Sequence, residues 1–308
     1  MKTFHEQLAD YLDHKLALNF SVQTCNTIRR NCRSFFRWLA AHYEVTSADR
    51  LRKTLLERWQ KHLAAHLTRK GTPLKAKSIN KSVESVRGFL KYLVFHGTIP
   101  PTLMEALQYV KEPKLLPGSV LTHAEVRKLL RRVVTTTPEG HRDRAMLELL
   151  YSSGIRVGEL LGLDVEDVDL GNAAAKVTGK GKKDRVVPIG KTALRYLESY
   201  IVAVRSFLLT DRTERALFLH RGKRLRYQRF LRMIHAAADR AKLDKPVSPH
   251  TFRRSCTTEL IRSGANIYHV KELLGHESLA TLKHYTMLTI LDLKKTHAKC
   301  HPREREDR

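Results

Sequence analysis

Cysteine is scarce and scattered in this chain. The four cysteines, Cys25, Cys32, Cys256 and Cys300, include no CxxC pair. That excludes zinc-finger spacing and a disulfide framework, and it fits a reducing cytosol. Cys25 and Cys32 share a helix face and read as small core residues. Walker A and GxGxxG loops are missing, as is any internal repeat. No apolar run approaches the length of a membrane span. The opening MKTFHEQLADYL is amphipathic and lacks the apolar stretch of a signal peptide. Acidic residues are the other shortage. The 308 residues carry 31 Asp and Glu against 57 Lys and Arg, a formal net charge of +26. Such a surplus suits a polyanion, with nucleic acid the default. A membrane surface suits it less, because no basic amphipathic helix stands apart from the globular pattern. The expectation is a cytoplasmic protein with a nucleic-acid partner, no membrane and no metal.

What is present is mostly helical periodicity. Residues 1 to about 110 read as four helices. Their apolar stripes are Phe4, Leu8, Tyr11 and Leu12; Ile28, Cys32, Phe35, Phe36 and Leu39; Leu51, Leu55, Leu56, Trp59 and Leu63; and Val83, Val86, Leu90 and Leu93. Breaks fall at Asn19 to Ser21, Tyr43 to Ser47 and Lys70 to Pro73. Helices of this length make a small bundle. Residues 1–112 hold 19 Lys and Arg against 9 Asp and Glu, so positive charge is shared along the chain, as suits a clamp around a duplex. The stretch KEPKLLPG, with two prolines and a glycine, reads as a linker. The expected division is 1–112 as a helical domain, 113–118 as linker, 119–300 as a second domain and 301–308 as a fraying tail.

The second domain opens at Thr122 with Glu125 three residues on, a capping box. Residues 141–163 read as a helix, a Ser-Ser-Gly break and a short second helix. Arg156 follows the break, with Glu159 one turn later. A surface ion pair is the plain reading of those two. Yet Arg156 lies between Ile155 and Val157, which argues for a guanidinium held in place. Residues 173–190, AAAKVTGKGKKDRVVPIG, read as a hairpin with a cationic tip, where Lys180 between Gly179 and Gly181 can approach a groove closely. A solvated charged turn is the alternative. Helices are expected at about Lys191 to Leu209 and Arg226 to Lys242, the latter burying Tyr227, Phe230, Leu231 and Ile234. The basic run Arg221 to Arg232 reads as phosphate contacts.

The stretch from Val247 to Tyr285 gathers the chemistry. Ser248-Pro249 starts a helix that stops at Gly264. Phe252, Cys256 and Leu260 face a core, and His250 and Arg253 share a face rotated away from that stripe. A second helix opens at Asn266 and ends with Gly275 as its C′ residue, so His276 is held by that turn. A third helix begins at Ser278 and carries Tyr285. One imidazole and one guanidinium, a second imidazole on a turn and a phenol nine residues later suit phosphate cleavage with Tyr285 as nucleophile. Each residue alone has a structural reading; it is the conjunction that points to chemistry.

With these residues in view, the chain resembles the tyrosine recombinases of the phage-integrase type, most of all the Xer-like branch. The segments SGIRVGELLGL, TGKGKKDRVVPIG, SPHTFRRSCTTELIRSGANIYHVKELLGH and HYT carry the resemblance, and LKKTHAKCHP is Xer-like as well. It implies a mainly α fold with a small β component: a helical core-binding domain of SAM-like type, then an α+β catalytic domain. It also implies DNA strand exchange through a 3′-phosphotyrosyl link and a Holliday junction, on inverted-repeat half-sites. A tetramer would hold that junction, with or without a paralogous recombinase, in chromosome-dimer resolution or a mobile element. No cofactor is implied, since the phosphotyrosyl link conserves bond energy. In this reading Arg156 and Arg253 clamp the non-bridging oxygens. His250 assists the phenol, Lys180 protonates the leaving oxygen, and His276 hydrogen-bonds the phosphate. Glu159 orients its neighbours, while Lys182, Lys183, Arg254, Arg226 and Arg229 contact DNA. Topoisomerase-like relaxation and a non-catalytic DNA-binding protein are the alternatives.

Overall fold

The computed structural model describes all residues except 1, 69–70, 114–118, 180, 182 and 276–308. The chain divides into two compact units, Met1–Leu115 and Leu116–Arg308. Among the described residues no helix is long and apolar enough to cross a membrane.

The first unit contains α1 (Phe4–Ala17), α2 (Val22–Tyr43), α3 (Lys53–Ala65) and α4 (Ala76–Phe95), followed by a 3₁₀ segment at Pro101–Ala106. Thr3 and Glu6 form a capping box at the start of α1, satisfying N–H groups that the helix leaves without partners. Glu44, at φ 52°, turns the chain out of α2. The expected stripes meet in one core, where Phe4 stacks on Phe36 with ring centroids 4.7 Å apart and Phe35 tilts against Trp59 at 4.8 Å.

The second unit is built around α6 (Pro138–Ser153), whose Ala145, Met146, Leu147, Leu149 and Leu150 are all fully buried. A helix apolar on most sides must be covered on most sides. α5 (His123–Arg131), α8 (Lys191–Ser199) and α10 (Pro249–Arg262) pack against it. The capping box at Thr122 and Glu125 is present. α7 (Val157–Gly162) follows the Ser-Ser-Gly break. A three-stranded antiparallel sheet then forms from β1 (Val168–Asp169), β2 (Ala174–Thr178) and β3 (Asp184–Pro188), with Ala175 opposite Val187 and Val177 opposite Arg185. α9 (Tyr227–Arg240) and α11 (Ile267–Leu274) complete the helices.

Three local expectations need correction. The helix from Lys191 does not run straight to Leu209; α8 passes into a π turn at Tyr200–Val204 and a 3₁₀ turn at Arg205–Leu208. The buried Tyr200 hydroxyl donates to Leu217 O at 3.0 Å, and Arg205 donates to the carbonyls of Glu214 and Ala216, so tertiary bonds hold this bend. A second hairpin, β4 (Leu219–His220) with β5 (Lys223–Arg224), lies where only a connection was expected. Its turn residues Arg221 and Gly222 have φ of 51° and 73°, the left-handed pair of a tight hairpin. On α9 the buried stripe is Phe230, Met233, Ile234 and Ala237, while Tyr227 in the first turn is 44% exposed.

Candidate active site

α6 ends at Gly154, with φ 62°. A Cβ there would lie 2.9 Å from Leu274 Cδ2 and 3.2 Å from Cys256 Sγ. Both the left-handed backbone and the close approach of α11 therefore require glycine. Its carbonyl accepts from Arg253 Nη1 at 2.7 Å, while Arg253 Nη2 donates to Leu274 O at 2.7 Å. Arg253, on α10, thus joins the C-terminal ends of α6 and α11. Those ends carry carbonyls without intrahelical partners and a partial negative charge, and a planar cation matches both. Arg253 is indeed turned off the Phe252–Cys256 stripe, but it is only 7% exposed because these two helix ends cover its face. His250, one turn earlier, is exposed.

Arg156 opens α7. Its backbone N–H donates to Glu159 Oε2 at 2.8 Å, its Nη1 to Glu159 Oε1 at 2.9 Å and its Nη2 to Gly275 O at 3.0 Å. The Glu159 side chain is 3% exposed and that of Arg156 36%, so the pair is built into the fold and not laid on its surface. Glu159 also accepts a fork from Arg185, with Nη1 to Oε1 at 2.9 Å and Nη2 to Oε2 at 2.8 Å. Burial alone would raise this carboxyl's pKa. The hydrogen bonds from Arg185, and those from the backbone and side chain of Arg156, outweigh it and lower the pKa to about 2. Glu159 is therefore an anion throughout the working range.

Arg185 was not among the expected site residues. In sequence it reads as one more charge beside a cationic turn. The available signal is the alternation in DRVVP, which puts Arg185 on the same strand face as fully buried Val187. Its Nε donates to Leu273 O at 3.2 Å. Three successive carbonyls at the end of α11 are thus each held by a different arginine: Leu273 by Arg185, Leu274 by Arg253 and Gly275 by Arg156. Gly275 itself has φ 61°, and a Cβ there would come within 3.0 Å of the Arg185 guanidinium. Three guanidiniums gathered at the end of α11, with Glu159 the carboxylate that two of them share, leave the cluster net positive, the composition of a site that receives a planar or tetrahedral anion.

The His250 pKa is lowered, first by burial and then by the charges of Arg254, Arg253 and Arg156. Its side chain reaches the surface, yet enough protein surrounds it to weaken its hydration. A lowered value leaves the imidazole neutral at pH 7, able to accept a proton. Arg254 is half-buried and its Nε has no hydrogen-bond partner among the described residues. Of the other expected DNA contacts, Arg226 and Lys183 are exposed, and Arg229 is half-buried with an Nε that likewise has no hydrogen-bond partner among the described residues. Arg224 departs from the expectation for the Arg221 to Arg232 run. It donates to Leu161 O at 3.0 Å and Leu163 O at 2.9 Å and pairs with Asp164, so it ties β5 to the end of α7. Lys180, Lys182, His276 and Tyr285 lie outside the described residues, as do the helix expected from Ser278 and the tail. Among the described residues no cluster of His, Cys, Asp and Glu could hold a metal ion.

Residues 119–290 match the model of the phage integrase family. The chain is 34% identical over 307 residues to the tyrosine recombinase XerD of Staphylococcus epidermidis, covering 98% of this chain and all of the relative. It is 37% identical over 230 residues to XerD of Listeria monocytogenes, covering 74% of this chain and 77% of that one. Among solved structures, the XerA recombinase is 26% identical with a TM-score of 0.52, covering 96% of this chain and 99% of the other. The Tn1549 transposon integrase in complex with a circular intermediate DNA is 18% identical with a TM-score of 0.74, covering 97% and 99%. The chain belongs to the phage integrase family. Within that family it is a Xer-like tyrosine recombinase.

Proposed function

We propose that this enzyme cleaves and rejoins DNA at specific sites through a 3′-phosphotyrosyl intermediate, with Tyr285 as the nucleophile. The observation that carries the reading is the pair Arg156 and Arg253, each fixed by backbone carbonyls at the end of α11 immediately before His276. As the phenol attacks, negative charge grows on the non-bridging oxygens, and the two guanidiniums stabilise it without having to reorganise. His250, neutral at pH 7, takes or shares the phenolic proton. Lys180, which falls between β2 and β3 in sequence, protonates the departing 5′-oxygen. His276 hydrogen-bonds the phosphate. Glu159, an anion that touches two arginines, sets the orientation of Arg156.

The helical unit 1–112 serves as the core-binding domain and 119–300 as the catalytic domain, clamping inverted-repeat half-sites. Lys182, Lys183, Arg226, Arg229 and Arg254 meet the DNA backbone. Strand exchange passes through a Holliday junction held by a tetramer, in the cytoplasm, without metal or nucleotide. The enzyme serves either chromosome-dimer resolution or a mobile element, alone or with a paralogue. The XerH recombinase bound to a difH substrate and the lambda integrase dimer bound to a COC′ core site share its fold. The test is a nicked suicide substrate that traps the covalent adduct. Wild type should accumulate it, and Tyr285→Phe should bind the same DNA and trap none. A normal adduct yield from Tyr285→Phe would remove Tyr285 as nucleophile.

A further inference from the structure

We infer that Arg185 is a positioning residue for the cleavage reaction, acting through Arg156. Three observations meet in it. Its fork occupies both oxygens of Glu159 at 2.9 and 2.8 Å, the same oxygens that Arg156 uses. Its Nε holds Leu273 O, next to the carbonyls that hold Arg253 and Arg156. It lies on β3, opposite Val177 of β2, so it ties the hairpin stem to the end of α11.

The consequence follows from charge. Glu159 is 97% removed from water by its surroundings, with a side-chain exposure of 3%, and must find its partners inside the protein. With Arg185 present, the carboxylate is shared, and one terminal nitrogen of Arg156 stays on Gly275 O. Without Arg185, Arg156 is the one cation among the described residues still touching Glu159. The carboxylate would then draw the guanidinium into a bidentate pair, away from Gly275 and from the scissile phosphate. Arg185 thus keeps Arg156 available by competing for its carboxylate.

This inference rests on the proposed role of Arg156, and the experiment separates the two. DNA with the scissile phosphate made as a methylphosphonate has lost one anionic oxygen, so it has less need of a guanidinium clamp. Single-turnover cleavage of phosphate and methylphosphonate DNA is measured for wild type, Arg156→Ala and Arg185→Ala at saturating enzyme, with half-site affinity alongside. Arg185→Ala should bind DNA nearly as wild type does and cleave phosphate DNA on the order of 10²-fold more slowly, as a misplaced reacting group does. On methylphosphonate DNA most of that loss should vanish, as it should for Arg156→Ala. If Arg156→Ala is relieved and Arg185→Ala is equally slow on both substrates, Arg185 is not acting through Arg156 and the inference falls. If Arg156→Ala is not relieved, its assignment as clamp falls and takes the inference with it. Should Arg185→Ala fail to fold, Arg185→Gln removes the competing charge while keeping much of the side chain's bulk, and the same slowing and the same relief are expected of it.

Discussion

Replacing Arg253 by lysine keeps the charge and removes the fork, and the structure separates two consequences. Arg253 reaches two carbonyls in different directions, Gly154 O and Leu274 O, both at 2.7 Å, from a side chain that is almost fully buried. A single ammonium can occupy one of those places. The other carbonyl then loses a charge-assisted partner in a water-poor site, at a cost of roughly 1–3 kcal/mol. For a unit of this size each kcal/mol is worth about 2–4 °C in Tm, so a fall of roughly 2–12 °C is expected by the same scaling. Catalysis should suffer separately, because an ammonium cannot reproduce a guanidinium's paired donation to a phosphate; the loss of one such donor group is on the order of 10²–10³-fold. Thermal melts give the first quantity. Single-turnover cleavage of a suicide substrate, run well below both melting temperatures with enzyme saturating, gives the second. An unchanged Tm would refute the role assigned to the two carbonyl bonds, and wild-type cleavage would refute the need for the fork.

Lys180→Ala should cleave ordinary DNA roughly 10²–10⁴-fold more slowly but recover near wild-type rate when the bridging 5′-oxygen is sulfur, whose departure needs no proton; failure of that rescue would move the acid to Lys182, Lys183 or His250. DNA affinity should fall steeply with salt, with a log-log slope of magnitude about 0.9 per neutralised phosphate and at least roughly six contacts; a salt-independent affinity in gel shifts would contradict the clamp. Gly154→Ala should lower Tm through both the left-handed backbone, about 1 kcal/mol, and the clash with Leu274 and Cys256, roughly 1–3 kcal/mol. A melt indistinguishable from wild type would mean that α11 does not pack as described.

The helices were legible from their apolar stripes, and several are announced a second time by a cap. Thr122 with Glu125, Ser248 with Pro249, and Gly275 at a positive φ are local chemistry, and local chemistry can be read from neighbours in sequence. The π turn after α8 and the β4–β5 hairpin were not legible, since Tyr200, Arg205 and Arg142 hold them through carbonyls far along the chain. The candidate site divides the same way. Arg156, Glu159, His250 and Arg253 stand out by residue type and spacing. The partners that fix them, Gly154 O, Leu274 O, Gly275 O and above all Arg185, are brought in by tertiary packing, and a backbone carbonyl leaves no mark in a sequence at all. Lys180, His276 and Tyr285, expected from the sequence, fall outside the described residues.

The same packing fixes the sign of a pH effect. Arg156 and Arg185 share the Glu159 carboxylate and Arg253 is held on the α11 carbonyl beside them, so the cluster carries more positive charge than its own groups neutralise, even with the α11 carbonyls facing it. His250 registers that surplus: after burial, the charges of Arg254, Arg253 and Arg156 lower its pKa from the usual 6.5. A scissile phosphate bound to the clamp brings the missing negative charge and must raise the His250 pKa again, because an anion favours the imidazolium. With His250 in the proposed role of base, cleavage needs its neutral form. In the free enzyme, seen in kcat/KM, cleavage should therefore persist below the ordinary histidine range and be lost only as pH falls through the lowered value. In the bound complex, seen in the single-turnover rate at saturating enzyme, the loss should come at higher pH, and each unit of separation between the two midpoints is about 1.4 kcal/mol of coupling between phosphate and imidazolium. By linkage, binding takes up proton at His250, so affinity should strengthen as pH falls through this window while the cleavage rate weakens. His250→Gln should lose the separation in both measurements. Coincident midpoints in wild type, or an unaltered pH profile in His250→Gln, would show that the titrating base lies elsewhere.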